Sequence, residues 1–410
     1  MLYDAYEVQR SLLAGASTLA NLGADWLNNP ANPLSYSQMG PIMASALDVF
    51  AHASASRGKP DFGLTHAVVE GEEVRVTEEV VLRKPFGQLK RFRRVRADGS
   101  EVAGQPRLLL VAPMSGHYAT LLRGTVERML PGHDVYITDW RDAKLVPLGD
   151  GRFDLDDYVD YLIQFLEHVG PGAHMLAVCQ PSVPAYAAAA LMSADKHPCR
   201  PKTLTMMGGP IDTRLAPTEV NTVATQRPFE WFERNVIVTV PYLYPGAGRK
   251  VYPGFLQLTG FMAMNLGNHL ASHWGMFRQL VDGDGESADA TKAFYEEYRA
   301  VCDMTKEFYL QTIDVVFQRH ALPKGEMMHR GRRVDPAAIT DIAVLAIEGE
   351  RDDISGIGQT RAALGISTGL DAKQKKYHLA KGVGHYGIFN GSKWRTKIAP
   401  IVEQWIAKHG

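Results

Sequence analysis

Four short apolar runs punctuate the first half of the chain: Leu108–Ala112, Val135–Thr138, Met175–Val178 and Thr203–Met207. A continuous apolar run bounded by turn residues suits a strand buried on both faces of a parallel sheet. Helical patterns at Ala119–Leu130, Leu155–Val169 and Ala185–Met192 separate the runs. Ahead of them, Glu78–Lys84 and Leu89–Val95 read as antiparallel strands around the turn Pro85-Phe86-Gly87. Strand character returns at Ile342–Ile347 and Lys376–Leu379, and an amphipathic helix closes the chain at Ile398–Lys408. Strand alternating with helix predicts a doubly wound α/β sheet with right-handed crossovers.

Two regions break the alternation. In residues 1–75, Tyr3, Tyr6, Val8, Leu12 and Leu13 share one apolar helical face, and a second helix is expected over Tyr36–His52. This segment reads as an N-terminal helical extension packed on the main domain, with a surface for a hydrophobic particle as the alternative. Residues 217–333 are rich in aromatics and methionine, among them Trp231, Phe232, Trp274, Met276, Phe277, Phe294, Tyr295, Tyr298 and Phe308. They read as a helical cap or lid inserted between the sixth and seventh of the strands recognised here. The core is then 76–216 together with 334–410.

Composition narrows the classes. Of 410 residues, 45% are hydrophobic and 22% charged, and the formal net charge of −1 gives no reason to expect a nucleic-acid partner. Three scattered cysteines (Cys179, Cys199, Cys302) form neither a disulfide framework nor a zinc pattern, so free thiols and a cytoplasmic protein are expected, with no metal. The beginning MLYDAYEVQR lacks the basic-then-apolar pattern of a secretory signal, and no stretch is apolar enough to span a membrane.

Working residues of open parallel sheets lie on loops at the carboxyl ends of strands, and four such loops carry chemistry. After Met175–Val178 comes Ala177-Val178-Cys179-Gln180-Pro181-Ser182, which fits a nucleophile elbow in which Cys179 attacks and the Gln180 N–H helps hold an oxyanion. The glycines usual two residues before and after the nucleophile are replaced by Ala177 and Pro181. Gly349-Glu350-Arg351-Asp352-Asp353 offers a carboxylate to orient a histidine; Asp352 fits the spacing better and Asp353 stays open. Gly382-Val383-Gly384-His385-Tyr386-Gly387 places a histidine between glycines on a tight loop. Pro113-Met114-Ser115-Gly116-His117 lies where a second oxyanion N–H is expected, with Met114 first and Ser115 next, while His117 reads as structural or substrate-lining.

Chain order is thus nucleophile, acid, histidine, each after a sheet strand, as the α/β-hydrolase fold requires. A thiolate is the reactive form of cysteine, and a paired histidine favours it. The expected chemistry is attack on an ester or thioester, then release of the acyl group to water, with no cofactor. Ser182 is the rival nucleophile, but its place in the first helical turn suits capping better. Trp274, Met276 and Phe277 are weak candidates for an apolar substrate wall, since aromatics at helical spacing more often belong to a core.

The segments MLYDAYEVQR, VAPMSGHYATLLRGTV, AVCQPS, TMMGGPIDTRLAPT, FYLQTIDVVFQRHALPKGEM, GERDDISGIGQT and GVGHYGIFNG resemble the intracellular polyhydroxybutyrate depolymerases over nearly the whole chain. The resemblance implies a Cys-Asp-His triad at Cys179, Asp352 and His385. It implies degradation of polyester stored in cytoplasmic granules to 3-hydroxybutyrate oligomers and monomers. Thiolysis by coenzyme A, a polyester-synthase-like acyltransferase (normally with glycines around its cysteine), a small-ester hydrolase and a non-catalytic granule-binding protein stay open as alternatives, as does a homo-oligomer.

Overall fold

The computed structural model of the chain describes residues 2–55, 58–264, 266–281, 292 and 295–410; Phe294 lies outside the described residues. A nine-stranded sheet organises the molecule. Its strands are β1 (His66–Val69), β2 (Glu72–Lys84), β3 (Gly87–Val95), β4 (Arg107–Val111), β5 (Asp134–Trp140), β6 (His174–Val178), β7 (Thr203–Met207), β8 (Ala343–Gly349) and β9 (Lys375–Ala380). They lie in the order β1-β2-β3-β5-β4-β6-β7-β8-β9. The first three form an antiparallel meander joined antiparallel to β5, and the remaining pairs are parallel. With helices on its faces this is an α/β-hydrolase fold. Only β1 escaped the sequence reading, because its four residues bury Val69 alone. The insertion therefore follows the seventh sheet strand, one later than the count made from sequence.

The parallel strands read as apolar runs because both faces are covered. Leu108, Leu109, Leu110 and Val111 of β4 have no exposed surface, and each such side chain contributes about 1.5–3 kcal/mol by leaving water. Helix α3 (Arg123–Met129) follows a turn of tight helix at Ala119–Leu122, α4 (Leu155–Val169) follows β5, and α5 (Ser182–Ala194) follows β6. Helix α4 begins with Asp154 and Asp157 in a reciprocal capping box. Helix α5 is buried from Ser182 to Ser193. Its alanine-rich sequence lets the sheet approach closely on one side while Tyr186 reaches the Ser367 hydroxyl at 2.7 Å on the other.

From β4 the chain crosses to β5 on one side and then returns to β6 on the other. Loops diverge at such a reversal and leave a crevice above the carboxyl ends of the strands. The loops after β4 and β6 flank it.

Between β7 and β8 lie helices Glu219–Gln226, Phe229–Asn235, Gly254–Met264, Leu266–Val281 and Lys306–Thr312. A small three-stranded antiparallel sheet and a two-stranded ribbon, absent from the sequence reading, accompany them. Phe308 ties this segment to the core by stacking on Tyr158 of α4 at 5.4 Å. The amino-terminal residues form an antiparallel helical hairpin, α1 (Leu2–Asn28) and α2 (Met39–Ser54), in which Ser17 Oγ donates to the Ala51 carbonyl. Among the described residues, no helix is long and apolar enough to cross a membrane.

Candidate active site

Cys179 sits at the turn between β6 and α5 with φ +66°. This left-handed conformation is strained for a side-chain-bearing residue, by about 1–3 kcal/mol, and persists only where surroundings impose it. They do so here: the Cys179 N–H donates to the Met207 carbonyl of β7 at 2.8 Å, and the Ser182 N–H donates to the Cys179 carbonyl at 3.0 Å. The side chain is thereby lifted above the sheet, at the amino end of α5.

The close packing beneath this turn comes from an unexpected place. The residues flanking the elbow are Ala177 and Pro181, and the room is made by Gly208-Gly209 after β7. A Cβ on Gly209 would stand 2.0 Å from Ser182 Oγ and 3.2 Å from the Cys179 carbonyl oxygen. Gly208 has φ +60°, and a Cβ there would meet Ile388 at 2.7 Å, His385 Cε1 at 3.0 Å and Asp352 Oδ2 at 3.2 Å. Gly209 is anchored by Thr360, whose hydroxyl receives its N–H at 2.8 Å and donates to its carbonyl at 3.0 Å. In the sequence the pair stands within TMMGGPIDTRLAPT, with no role in the site assigned to it. Two glycines directly after a buried parallel strand were the available signal.

His385 and Asp352 come together across the ends of β8 and β9. His385 Nδ1 donates to Asp352 Oδ2 at 2.8 Å. The other oxygen of Asp352 accepts the N–H groups of Ile354 at 2.9 Å and Ser355 at 2.8 Å, so the buried carboxylate is held at both ends. Asp353 is exposed, and the histidine's carboxylate partner is Asp352. Burial opposes charge on the enclosed His385 ring. The carboxylate of Asp352, and the charge and hydrogen bond of Cys179, outweigh that effect and hold the imidazolium well above the ordinary histidine range. His385 thus bridges Asp352 and Cys179. A thiol at a strained turn, bonded to an imidazole that a buried carboxylate orients, can serve as an activated nucleophile.

Met114 and Gln180 also meet. The Met114 N–H donates, at 3.4 Å, to the side-chain oxygen of Gln180. The two expected oxyanion donors therefore belong to adjacent residues in space, with an amide oxygen lying against one of them. Ser115 lies beside them and its carbonyl accepts the Gln257 side-chain amide. Ser182 is fully buried beneath the turn and its hydroxyl faces Gly209 rather than the crevice. The His117 Nε2–H donates to the Tyr298 carbonyl, 3.0 Å away, and burial pushes the ring's pKa down to about 4, so it stays neutral. Cys302 is buried against the His117 carbonyl, and Cys199 lies in the turn before β7.

A cavity of about 400 Å³ opens above Cys179, Gln180, Met114 and His385. Its far walls come from the insertion and are apolar, with Val223, Phe232, Tyr252, Tyr309, Ile313 and Phe317 prominent. Ile313 and Phe317 lie on a π-helical turn, Ile313–Gln318, a distortion frequent at functional sites. Trp274, Met276 and Phe277 are not among the lining residues. Their helix packs on α2 of the hairpin instead, where Met276 is buried and Trp274, 62% exposed, leans on Phe277 at 5.3 Å. The insertion's aromatics that do reach the cavity are Phe232, Tyr252, Phe308, Tyr309 and Phe317, joined by Tyr386 and Phe389 of the core.

No curated protein sequence matches the chain. Solved structures similar to it include 2-hydroxy-6-oxo-6-phenylhexa-2,4-dienoate hydrolase from Rhodococcus sp. strain RHA1, at 10% identity and TM-score 0.43 over 82% of this chain and 99% of that one. Naproxen esterase from Bacillus subtilis matches at 12% identity and TM-score 0.41, over 82% and 92%. Monoacylglycerol lipase from Paleococcus ferrophilus matches at 14% identity and TM-score 0.42, over 75% and 97%. The family described as PHB de-polymerase C-terminus matches residues 208–410, a span that begins at the glycine pair and holds Asp352 and His385. With that span folded as the second half of an α/β-hydrolase, the chain belongs to the polyhydroxybutyrate depolymerase family.

Proposed function

We propose that the protein hydrolyses the ester bonds of stored poly(3-hydroxybutyrate) through a Cys179-His385-Asp352 triad and an acyl-cysteine intermediate. The observation that carries this reading is His385 held between Asp352 and Cys179 at the floor of an apolar cavity.

The Nδ1–H of His385 is committed to Asp352, so Nε2 faces the thiol and takes its proton. The Cys179 thiolate attacks the ester carbonyl, and the oxyanion is received by the Gln180 and Met114 N–H groups once the Gln180 side-chain oxygen swings away. Each such donor contributes about 100- to 1,000-fold in rate. The tetrahedral adduct collapses with cleavage of the carbon–oxygen bond, and His385 Nε2–H protonates the departing alkoxide. Water then gives a proton to Nε2 and attacks the thioester carbonyl, releasing the 3-hydroxyacid end and restoring the thiolate. His385 Nε2 is the donor or the acceptor in every proton transfer of this cycle.

Residues 217–333 act in this reading as a cap, and their apolar wall receives the aliphatic polyester in place of water. The site of action is the surface of cytoplasmic polyester granules. The test is release of soluble 3-hydroxybutyrate from native amorphous granules, run beside a Cys179→Ala variant, with and without coenzyme A. Release by wild type without coenzyme A, absent in the variant, is expected. Equal release by both, or none by either, overturns the reading; release only with coenzyme A replaces hydrolysis by thiolysis.

A further inference from the structure

The amino-terminal hairpin is built inside out. The residues that α1 and α2 bury between themselves and against the body are mostly small: Ser17, Ala20 and Ala24 on α1, and Gly40, Ala44 and Ala51 on α2. A Cβ on Gly23 would already stand 3.0 Å from Leu47 Cδ1, so that leucine packs against bare backbone of α1. Large apolar side chains face water instead. Leu12 and Leu19 are each 71% exposed and Trp26 58%, while Val8, Leu22, Met39, Met43 and Phe50 are also exposed. A helical hairpin that folded for its own stability would place these residues in its seam. Between the helices an apolar groove of about 300 Å³, lined by Trp26, Leu34, Met39, Met43 and Leu47, opens outward.

Charge is missing from the same surface. From Ser11 to Leu47 the sole charged side chain is Asp25, in a chain that is 22% charged. A face for an anionic membrane would carry lysine or arginine, and a rim around a protein partner would be polar. An apolar face without charge matches a partner that is itself apolar and uncharged. Aliphatic polyester is such a partner, with only neutral ester oxygens among its methylene and methyl groups.

The base of the hairpin is fixed to the body. Tyr3 donates to Asp303 Oδ2 at 2.6 Å, Tyr244 donates to Glu7 at 2.7 Å, and Tyr6 stacks on Phe255 at 3.9 Å. Phe255 opens the helix Gly254–Met264, whose Gln257 and Gly260 line the cavity above Cys179. The helix beside α2 adds exposed Trp274. The uncharged face therefore adjoins, through one helix, the wall of the candidate active site.

We infer that the outer face of the α1–α2 hairpin is the surface by which the protein adsorbs to amorphous polyester, holding its cavity against the polymer. This inference rests on the polyester reading of the site, and its test is kept separate from catalysis. Wild type and a Leu12→Glu/Leu19→Glu/Trp26→Glu/Met43→Glu variant are mixed with native amorphous polyhydroxybutyrate granules, pelleted and assayed for bound protein. The same proteins are assayed on the soluble ester p-nitrophenyl butyrate and on phosphatidylcholine vesicles. Four lost apolar contacts predict partition onto granules weaker by about a hundredfold or more, with unchanged thermal stability and unchanged rate on the soluble ester. Equal partition of the two proteins overturns the inference. So does equally strong wild-type partition onto the vesicles, or a loss of self-association in the variant with granule binding intact, which would make the face an interface between copies. Loss of granule binding by the variant, with no ester cleavage by either protein, would uphold the docking face and sink the depolymerase reading instead.

Discussion

In the crevice, the carboxylate of Asp352 is buried and fully engaged, with one oxygen on two backbone N–H groups and the other on His385. In the hairpin, Leu12, Leu19 and Trp26 face water with a single carboxylate, Asp25, along the stretch that holds them. One region buries polarity and satisfies it; the other exposes apolar surface and leaves it uncovered. The second arrangement is unfavourable for an isolated folded chain and becomes useful only when something is bound. Buried polar groups must be held in register to do chemistry, while exposed apolar surface is stabilised only by a partner that removes it from water. The contrast assigns turnover to the first region and adsorption to the second.

Variants that break this separation rank by expected size. Replacing Cys179 by alanine should lower kcat on any ester by about 10⁴- to 10⁶-fold while leaving granule partition untouched; a partition change would mean the crevice also docks. Asp352→Asn keeps the shape but removes the charge that orients His385. A loss of about 10³- to 10⁴-fold in kcat, with a small change in KM, is expected. Gly209→Ala forces a methyl into Ser182, and its melting should report destabilisation of about 1–3 kcal/mol; an unchanged Tm would mean the turn has slack that the distances deny. The exposed hairpin substitutions should alter stability by no more than about 0.5 kcal/mol.

The His385 charge gives a pH test with a definite sign. Its folded value is raised well above the ordinary histidine range, chiefly by Asp352 and Cys179 acting against burial. The stabilisation from that pairing is therefore fully present below the unfolded value of about 6.5 and is lost as pH rises through the folded value. Melting curves of wild type and His385→Gln should differ most below that pH and converge at higher pH. A gap that widens with pH would reverse the assignment of the proton.

The sheet was legible because buried parallel strands must be apolar on both faces, and Leu108–Val111 and Thr203–Met207 read so directly. The loops bearing Asp352 and His385 were legible from their glycines, and the choice between Asp352 and Asp353 needed geometry, because adjacent residues on one loop differ only in where the backbone turns them. Gly208 and Gly209 were overlooked as parts of the site, since their importance lies in contacts with Ser182, Cys179 and His385 made across the fold. Composition misled in the insertion: Trp274 and Phe277 look like a substrate wall in sequence, yet their helix lies beside the hairpin, and the cavity takes Phe232, Tyr309 and Phe317 instead. The inside-out seam of α1 and α2 could not be told from an ordinary amphipathic pair, because periodicity marks an apolar face without saying whether anything covers it.

The central claim is that an ester's acyl group passes through the sulfur of Cys179. Mixing the enzyme with a soluble 3-hydroxybutyrate oligomer, quenching in acid within one turnover and mapping peptides by mass spectrometry tests it directly. The account predicts a 3-hydroxybutyryl group, or a short oligomer of it, on the peptide containing Cys179 and lost on treatment with hydroxylamine. Product formation with an acyl group on Ser182, or with no acylated peptide under conditions that trap an acyl-enzyme, would contradict it.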